Sequence, residues 1–268
     1  QPMALEKTVL NETIISDLLS KHYGISLVSS KKLKLGTANC YQVYDGNQYY
    51  FLKEFQSSFA ESAVVQEAKL LDYLSAAGIP TSCFYKTVSG EYVIIFQNHI
   101  ICLEEYIEGQ TYDYDDLPPA LLPQAGTMLG KLHSALRDYP LPISMSDQWL
   151  DSFSTDRMMA QYDALIKLAE SKTDDRNINR IIDDLQYKKQ LAIRCEDYKK
   201  YYNGITYCST HGDYQGCQLI FAGNEIKAVV DFSSASCLLF LSSWMGARVM
   251  LSRMVMWGKR LKCWKTMP

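Results

Sequence analysis

The sequence lacks the spacing patterns of a metal or disulfide scaffold. Its eight cysteines are Cys40, Cys83, Cys102, Cys195, Cys208, Cys217, Cys237 and Cys263; no two have C-x-x-C spacing, and only four histidines accompany them. A zinc site, which draws on closely paired cysteine or histidine ligands, is not expected. Scattered thiols in a chain of 268 residues read as reduced, buried residues rather than a disulfide framework. An excess of positive charge is missing too, and a net charge of −3 leaves no basic footprint for nucleic acid. No basic-then-apolar signal segment opens the chain, because Glu6, Glu12 and Asp17 interrupt it. The one long apolar stretch, Cys237 to Trp257, contains Arg248 and Arg253. Each arginine would cost ~2.5–3.5 kcal/mol at mid-bilayer, which argues against a membrane span. These absences lead to the expectation of a soluble, cytoplasmic protein that binds neither nucleic acid nor membrane.

What is present is ample apolar content, 47%, in two textures. Leu10, Ile14, Ile15, Leu18 and Leu19 predict a helix over Thr8 to Tyr23, with Asn11 as its cap. Short β-rich runs follow at Cys40–Tyr44, Tyr49–Phe55, Tyr92–Gln97 and Ile100–Ile107, broken by turn residues. A helical run, Ser62 to Ala76, lies between the second and third and stops at Gly78 and Pro80. That order suits a small antiparallel sheet with one packed helix. After Gly109 the chain turns mostly helical, with apolar stripes at Leu121–Leu136, Met158–Ala169 and Ile178–Leu185. Two short strands, Gln218–Phe221 and Ile226–Val230, then flank the hairpin turn Ala222-Gly223-Asn224. The expected class is α+β in two lobes, residues 1–107 and 108–268.

The strongest chemical pattern is His211-Gly212-Asp213, eighteen residues before Asp231, with the strand pair between them. Phosphoryl transfer needs one carboxylate to orient the attacking hydroxyl and accept its proton, and a second to hold the magnesium that neutralises the triphosphate. Loops beside short strands fix such acids while leaving them reachable. Aspartate is also a common turn residue, and spacing alone leaves the two readings level.

The segment Thr210-His211-Gly212-Asp213-Tyr214-Gln215-Gly216-Cys217-Gln218-Leu219-Ile220-Phe221 resembles the catalytic loop of the aminoglycoside phosphotransferase and choline kinase family. The usual form there is His-Gly-Asp-x-x-x-x-Asn followed by a short apolar strand. Val229-Val230-Asp231-Phe232 is similar to that family's metal-binding Ile-Asp-Phe segment. The resemblance implies a protein-kinase-like fold and a small-molecule kinase using ATP or GTP and Mg2+. It also implies Asp213 as catalytic base, Asp231 as principal metal ligand and an orienting role for His211. One position departs: Gln218 stands where the family has asparagine as second metal ligand, offering the same carbonyl on a stem one methylene longer.

The N-terminal half carries further parts of the resemblance. Leu52-Lys53-Glu54-Phe55 puts a lysine in a β-run and Glu67 in the following helix. A lysine gripping the α- and β-phosphates and held by a helix glutamate is what a kinase small lobe requires. The resemblance assigns those roles to Lys53 and Glu67, with Glu61 as the alternative partner. Taken alone, a strand lysine usually only blunts an edge. Leu35 to Val43, with Gly36, Thr37 and Asn39, sits where the family has its phosphate-covering hairpin. Ile101 to Gly109 resembles the hinge, implying adenine contacts from the backbone of Glu105, Tyr106 and Ile107. Leu129-Gly130-Lys131-Leu132-His133 matches the first large-lobe helix, where His133 reads as structural.

The resemblance ends after Asp231. From Phe232 to Pro268 there is no Asp or Glu, and Arg248, Arg253, Lys259, Arg260, Lys262 and Lys265 stand among three of the four tryptophans. Two readings stay open: a terminal helix packed on the large lobe, or a reading frame lost shortly after Ser236. Tyr112-Asp113-Tyr114-Asp115-Asp116 offers carboxylates and aromatics that would attract an amine, or a solvated loop. The rival to an active kinase is a nucleotide-binding scaffold of the same fold without turnover.

Overall fold

The computed structural model describes residues 6–33, 38–113, 116–140, 155–171, 177–193 and 207–239. Helix α1, Glu12–Tyr23, begins where Asn11 Oδ1 accepts the Ile14 N–H at 2.9 Å, so the expected cap forms. Five strands make one antiparallel sheet: β1 Ser29–Leu33, β2 Asn39–Tyr44, β3 Tyr49–Glu54, β4 Ile94–Phe96 and β5 His99–Glu105, in the order β1-β2-β3-β5-β4. Helix α2, Glu61–Ala76, joins β3 to β4.

Period-two alternation gives this sheet two different faces. Tyr41, Val43, Tyr50, Leu52, Ile101 and Leu103 pack on Ile15, Leu18 and Leu19 of α1. Cys102 turns the other way, towards Val64, Ala68, Leu71 and Leu74 of α2. Lys53 stands directly opposite Cys102 in the β3–β5 register and so shares that second face. The same alternation sends Glu54 to the α1 side, where its fully buried carboxylate accepts the Val9 N–H at 2.8 Å and the Thr8 hydroxyl. The chain before α1 is thereby strapped to the sheet beside Lys53.

Helix α3, Leu122–Leu136, buries Ala125, Met128, Leu129, Leu132 and Leu136 in the same core as α2. That core continues into Leu219 and Phe221 of β7 (Leu219–Ala222) and Val229 of β8 (Glu225–Val229), with β6, Tyr207–Thr210, preceding this pair. β6 pairs antiparallel with β9, Ser236–Leu239. Helices α4, Thr155–Glu170, and α5, Ile178–Ile193, pack on each other. Of their apolar residues, Leu165 and Ile181 are exposed and only Ala169 and Ala192 are buried. Among the described residues this pair has no third layer to cover it.

β1, β6 and β9 were not foreseen, since none alternates clearly. Both tail readings concern a segment that lies outside the described residues beyond Leu239; as far as Leu239 the chain pairs with β6. No helix among the described residues is long and apolar enough to cross a membrane.

Candidate active site

The β7–β8 hairpin sets the spacing of the two acids: Asp213 lies on the loop before it and Asp231 directly after it. His211, fully buried, joins the two loops. Its Nδ1 accepts the Asp213 N–H at 3.3 Å, and its Nε2 lies 3.0 Å from the Val230 carbonyl. Because Nδ1 is the acceptor, Nε2 carries the proton and donates it to Val230. Burial, the largest influence, holds the His211 pKa below the ordinary histidine value, which keeps this tautomer neutral. The Phe232 ring packs against the imidazole at a centroid distance of 4.4 Å.

Gly212 fixes the approach of the loops from the other side. Its φ is +82°, and a Cβ there would sit 2.0 Å from the Ser234 carbonyl oxygen. Asp231 is itself left-handed at φ +61°, an unusual conformation for a non-glycine residue. Ser233 Oγ donates to Asp231 Oδ1 at 2.7 Å and holds that carboxylate in place. Local strain of this kind is maintained where surrounding contacts over-determine the backbone.

Between the acids stands Gln218. Its Nε2 lies 3.3 Å from Asp213 Oδ2 and 3.4 Å from Asp231 Oδ2, while Gln215 Nε2 donates to Asp213 Oδ2 at 2.8 Å. An amide N–H group thus occupies the point where the two carboxylates converge. Two carboxylate oxygens and one amide carbonyl, reached by turning the Gln218 amide over, suit a hard divalent cation that takes its remaining oxygens from phosphates and water. The donor set therefore fits Mg2+. Among the described residues no cluster of three or more His, Cys, Asp or Glu side chains forms a cage of its own.

Lys53 reaches into this region from β3. Its Nζ lies 2.9 Å from Glu104 Oε1, so its ion-pair partner is Glu104 of β5, not the expected Glu67 or Glu61. The reason is register: Glu104 is the diagonal neighbour of Lys53 on one sheet face, whereas Glu67 must reach from another layer. Burial lowers the Lys53 pKa, but the Glu104 and Glu67 carboxylates outweigh it and hold the ammonium well above the ordinary lysine value. Glu67 is buried on α2, where burial raises its carboxyl to about 7 against the lowering influence of Lys53.

Other sequence candidates are placed less centrally. Gly36 and Thr37 lie outside the described residues. Asn39 is buried and engaged: its Nδ2 donates to the Glu6 carbonyl at 3.2 Å and its Oδ1 accepts from Lys32 at 2.8 Å. The Glu105 N–H is committed to the Cys83 carbonyl at 2.8 Å, leaving Tyr106 and Ile107 as the first residues past the sheet ladder. His133 is half-buried on α3, and burial lowers its pKa. Tyr112 and Asp113 pass close to the catalytic loop, where a Cβ on Gly216 would meet the Tyr112 carbonyl at 2.9 Å; Tyr114 and Asp115 lie outside the described residues. Sequence reasoning missed Gln215, Ser233 and Glu104. The first two were visible as polar residues two positions from each aspartate, but Glu104 was signalled only by being an acid inside an apolar strand.

Residues 31–239 match the family model described as the phosphotransferase enzyme family. No curated protein sequence matches the chain. Among solved structures, an aminoglycoside phosphotransferase from Alicyclobacillus acidocaldarius superposes with a TM-score of 0.64 at 15% identity, over 93% of this chain and 74% of that one. Amicoumacin kinase, in complex with AMP-PNP and Ca2+, gives 0.62 at 13% identity over 92% and 77%. Spectinomycin phosphotransferase, in complex with ADP and spectinomycin, gives 0.60 at 12% identity over 94% and 81%. These likenesses show the protein-kinase-like fold, and the sequence match shows the family. The chain belongs to the phosphotransferase enzyme family, whose members are small-molecule kinases acting on hydroxyl acceptors.

Proposed function

We propose that this chain transfers the γ-phosphoryl group of ATP or GTP to a hydroxyl of a small acceptor such as an aminoglycoside, amino alcohol, sugar or amino acid. The observation that carries this reading is the convergence of Asp213 and Asp231 on the Gln218 amide, with His211 bonded to both loops. Asp213 holds the acceptor hydroxyl and takes its proton as the new oxygen–phosphorus bond forms and the bond to the nucleoside diphosphate breaks. Gln215 fixes the orientation of that carboxylate. Asp231 and Gln218 would hold Mg2+, which supplies neutralisation of the triphosphate charge when bound with the nucleotide. Lys53 grips the α- and β-phosphates, and the backbone of Tyr106 and Ile107 contacts the base. The division into a nucleotide-binding lobe, 1–107, and an acceptor lobe, 108–268, belongs to the same reading.

Among these an amine-bearing acceptor is favoured because Asp113 passes beside the catalytic loop, its carbonyl 3.6 Å from where a Cβ on Gly216 would stand. A turnover assay with magnesium ATP or GTP against hydroxylated amines, sugars and amino acids tests the proposal. Phosphorylation of an amine-bearing acceptor is expected. Nucleotide binding without turnover of any acceptor would instead mark a scaffold that has lost catalysis.

A further inference from the structure

We propose that Glu104 is the carboxylate that positions Lys53 for the nucleotide phosphates, in place of Glu67. The proposal rests on Lys53 being the phosphate-gripping lysine, and it gives Glu104 the role the sequence gave to Glu67.

Lys53 and Glu104 are 2.9 Å apart, with side chains only 14% and 6% exposed. Both belong to one sheet, on adjacent strands and the same face. Their pairing therefore does not depend on where α2 sits. Glu104 is itself fixed: its Oε2 accepts from Ser82 Oγ at 3.3 Å, and Cys102 Sγ donates to its Oε1 at 3.7 Å. An ammonium has three donors, so one committed to Glu104 leaves others to meet phosphate oxygens. Held this way, the lysine is oriented before the nucleotide arrives.

Glu67 lies in a different layer. It stands on α2, which packs on the short turn Phe232–Ser234 next to Asp231. Asp231 sits in a left-handed conformation just before that turn, where the backbone benefits from an anchor. The groups acting on Lys53 are Glu104, Glu67, Cys102 and Cys40, from β5, α2 and β2. Three acids, Glu67, Glu104 and Asp231, share this buried region with one ammonium. The acid nearest in the sheet takes the ion pair.

Acylation of Lys53 by a small amine-reactive reagent tests this in nucleotide-free protein at one fixed alkaline pH, with the labelled site read by peptide mass spectrometry. Removing the positioning carboxylate lets burial depress the lysine pKa and exposes the reactive free amine. Glu104→Gln is expected to raise Lys53 labelling about tenfold or more, the effect of one pKa unit, and Glu67→Gln less than about threefold. Glu104→Asp, which keeps a carboxylate, recovers part of the protection. A larger rise in Glu67→Gln than in Glu104→Gln overturns the proposal. Magnesium-nucleotide affinity supplies a second measurement: Glu104→Gln should weaken it in the wild-type background and add no further loss in a Lys53→Met background. An equal loss in both backgrounds also overturns it. Protection of wild-type Lys53 by magnesium ATP separately tests the nucleotide site; absence of protection sinks the phosphate-gripping role, while the labelling comparison still decides which acid holds the lysine.

Discussion

Replacing Gly212 by alanine tests how tightly the catalytic and metal loops are locked together. Two costs add at this position. A residue with a side chain held at φ +82° loses ~1–2 kcal/mol relative to an allowed conformation. The new Cβ would also stand 2.0 Å from the Ser234 carbonyl oxygen and 2.7 Å from its carbon, so the turn Phe232–Ser234 must retreat. That turn carries buried Phe232 against His211, and overpacking of this kind costs ~1–3 kcal/mol. The expected loss is therefore ~2–5 kcal/mol. Gly223→Ala is the control, because Gly223 has φ +59° with nothing within 4 Å of its added Cβ. It should lose only the conformational part, ~1–2 kcal/mol. Urea unfolding of the three proteins, with m-values compared, measures both. Equal losses in the two variants would mean that Gly212 is needed for its backbone angle alone and that the Ser234 contact constrains nothing.

Asp213→Asn should leave nucleotide affinity nearly unchanged while lowering kcat by ~10²–10⁴, because the proton acceptor is gone. Asp231→Asn should weaken magnesium-nucleotide binding itself; calorimetry and steady-state kinetics separate the two, and reversed effects would exchange the roles. Gln218→Asn should give equal or higher activity and Gln218→Leu a higher magnesium requirement; identical magnesium titrations for all three proteins would remove Gln218 from the metal site. The buried His211 has a pKa below the ordinary 6.5, so the unfolded chain binds its proton first as pH falls. Its contribution to stability is complete above pH 6.5 and is lost as pH falls through the lower folded value. Wild type should accordingly lose its stability advantage over His211→Gln on acidification, measured by urea unfolding across pH. Glu67, with its raised pKa, gives the opposite slope in both proteins and cancels in the comparison. A difference independent of pH would show that His211 is not held neutral.

Local chemistry made much of the framework legible. Asn11 before an apolar period of helical spacing gave α1, and Ala222-Gly223-Asn224 between two apolar runs gave the β7–β8 hairpin. Since that hairpin is short, the residues flanking it had to lie close, which is why Asp213 and Asp231 could be paired from spacing. The partner of Lys53 was not legible. A sequence shows which residues are acidic and which lie on helices, but an ion pair depends on strand register and on which layer lies nearer. Here β3 and β5 are adjacent, although α2 and β4 come between them in the chain, and that pairing puts Glu104 within 2.9 Å of Lys53. Asn39 was likewise read as a phosphate-loop residue, while the strapped N-terminal segment takes its amide. The β6–β9 ladder joins Tyr207–Thr210 to Ser236–Leu239, and neither strand alternates enough to be seen alone. Periodicity and turn chemistry are properties of neighbours in sequence, whereas these pairings become favourable only once distant segments share a core.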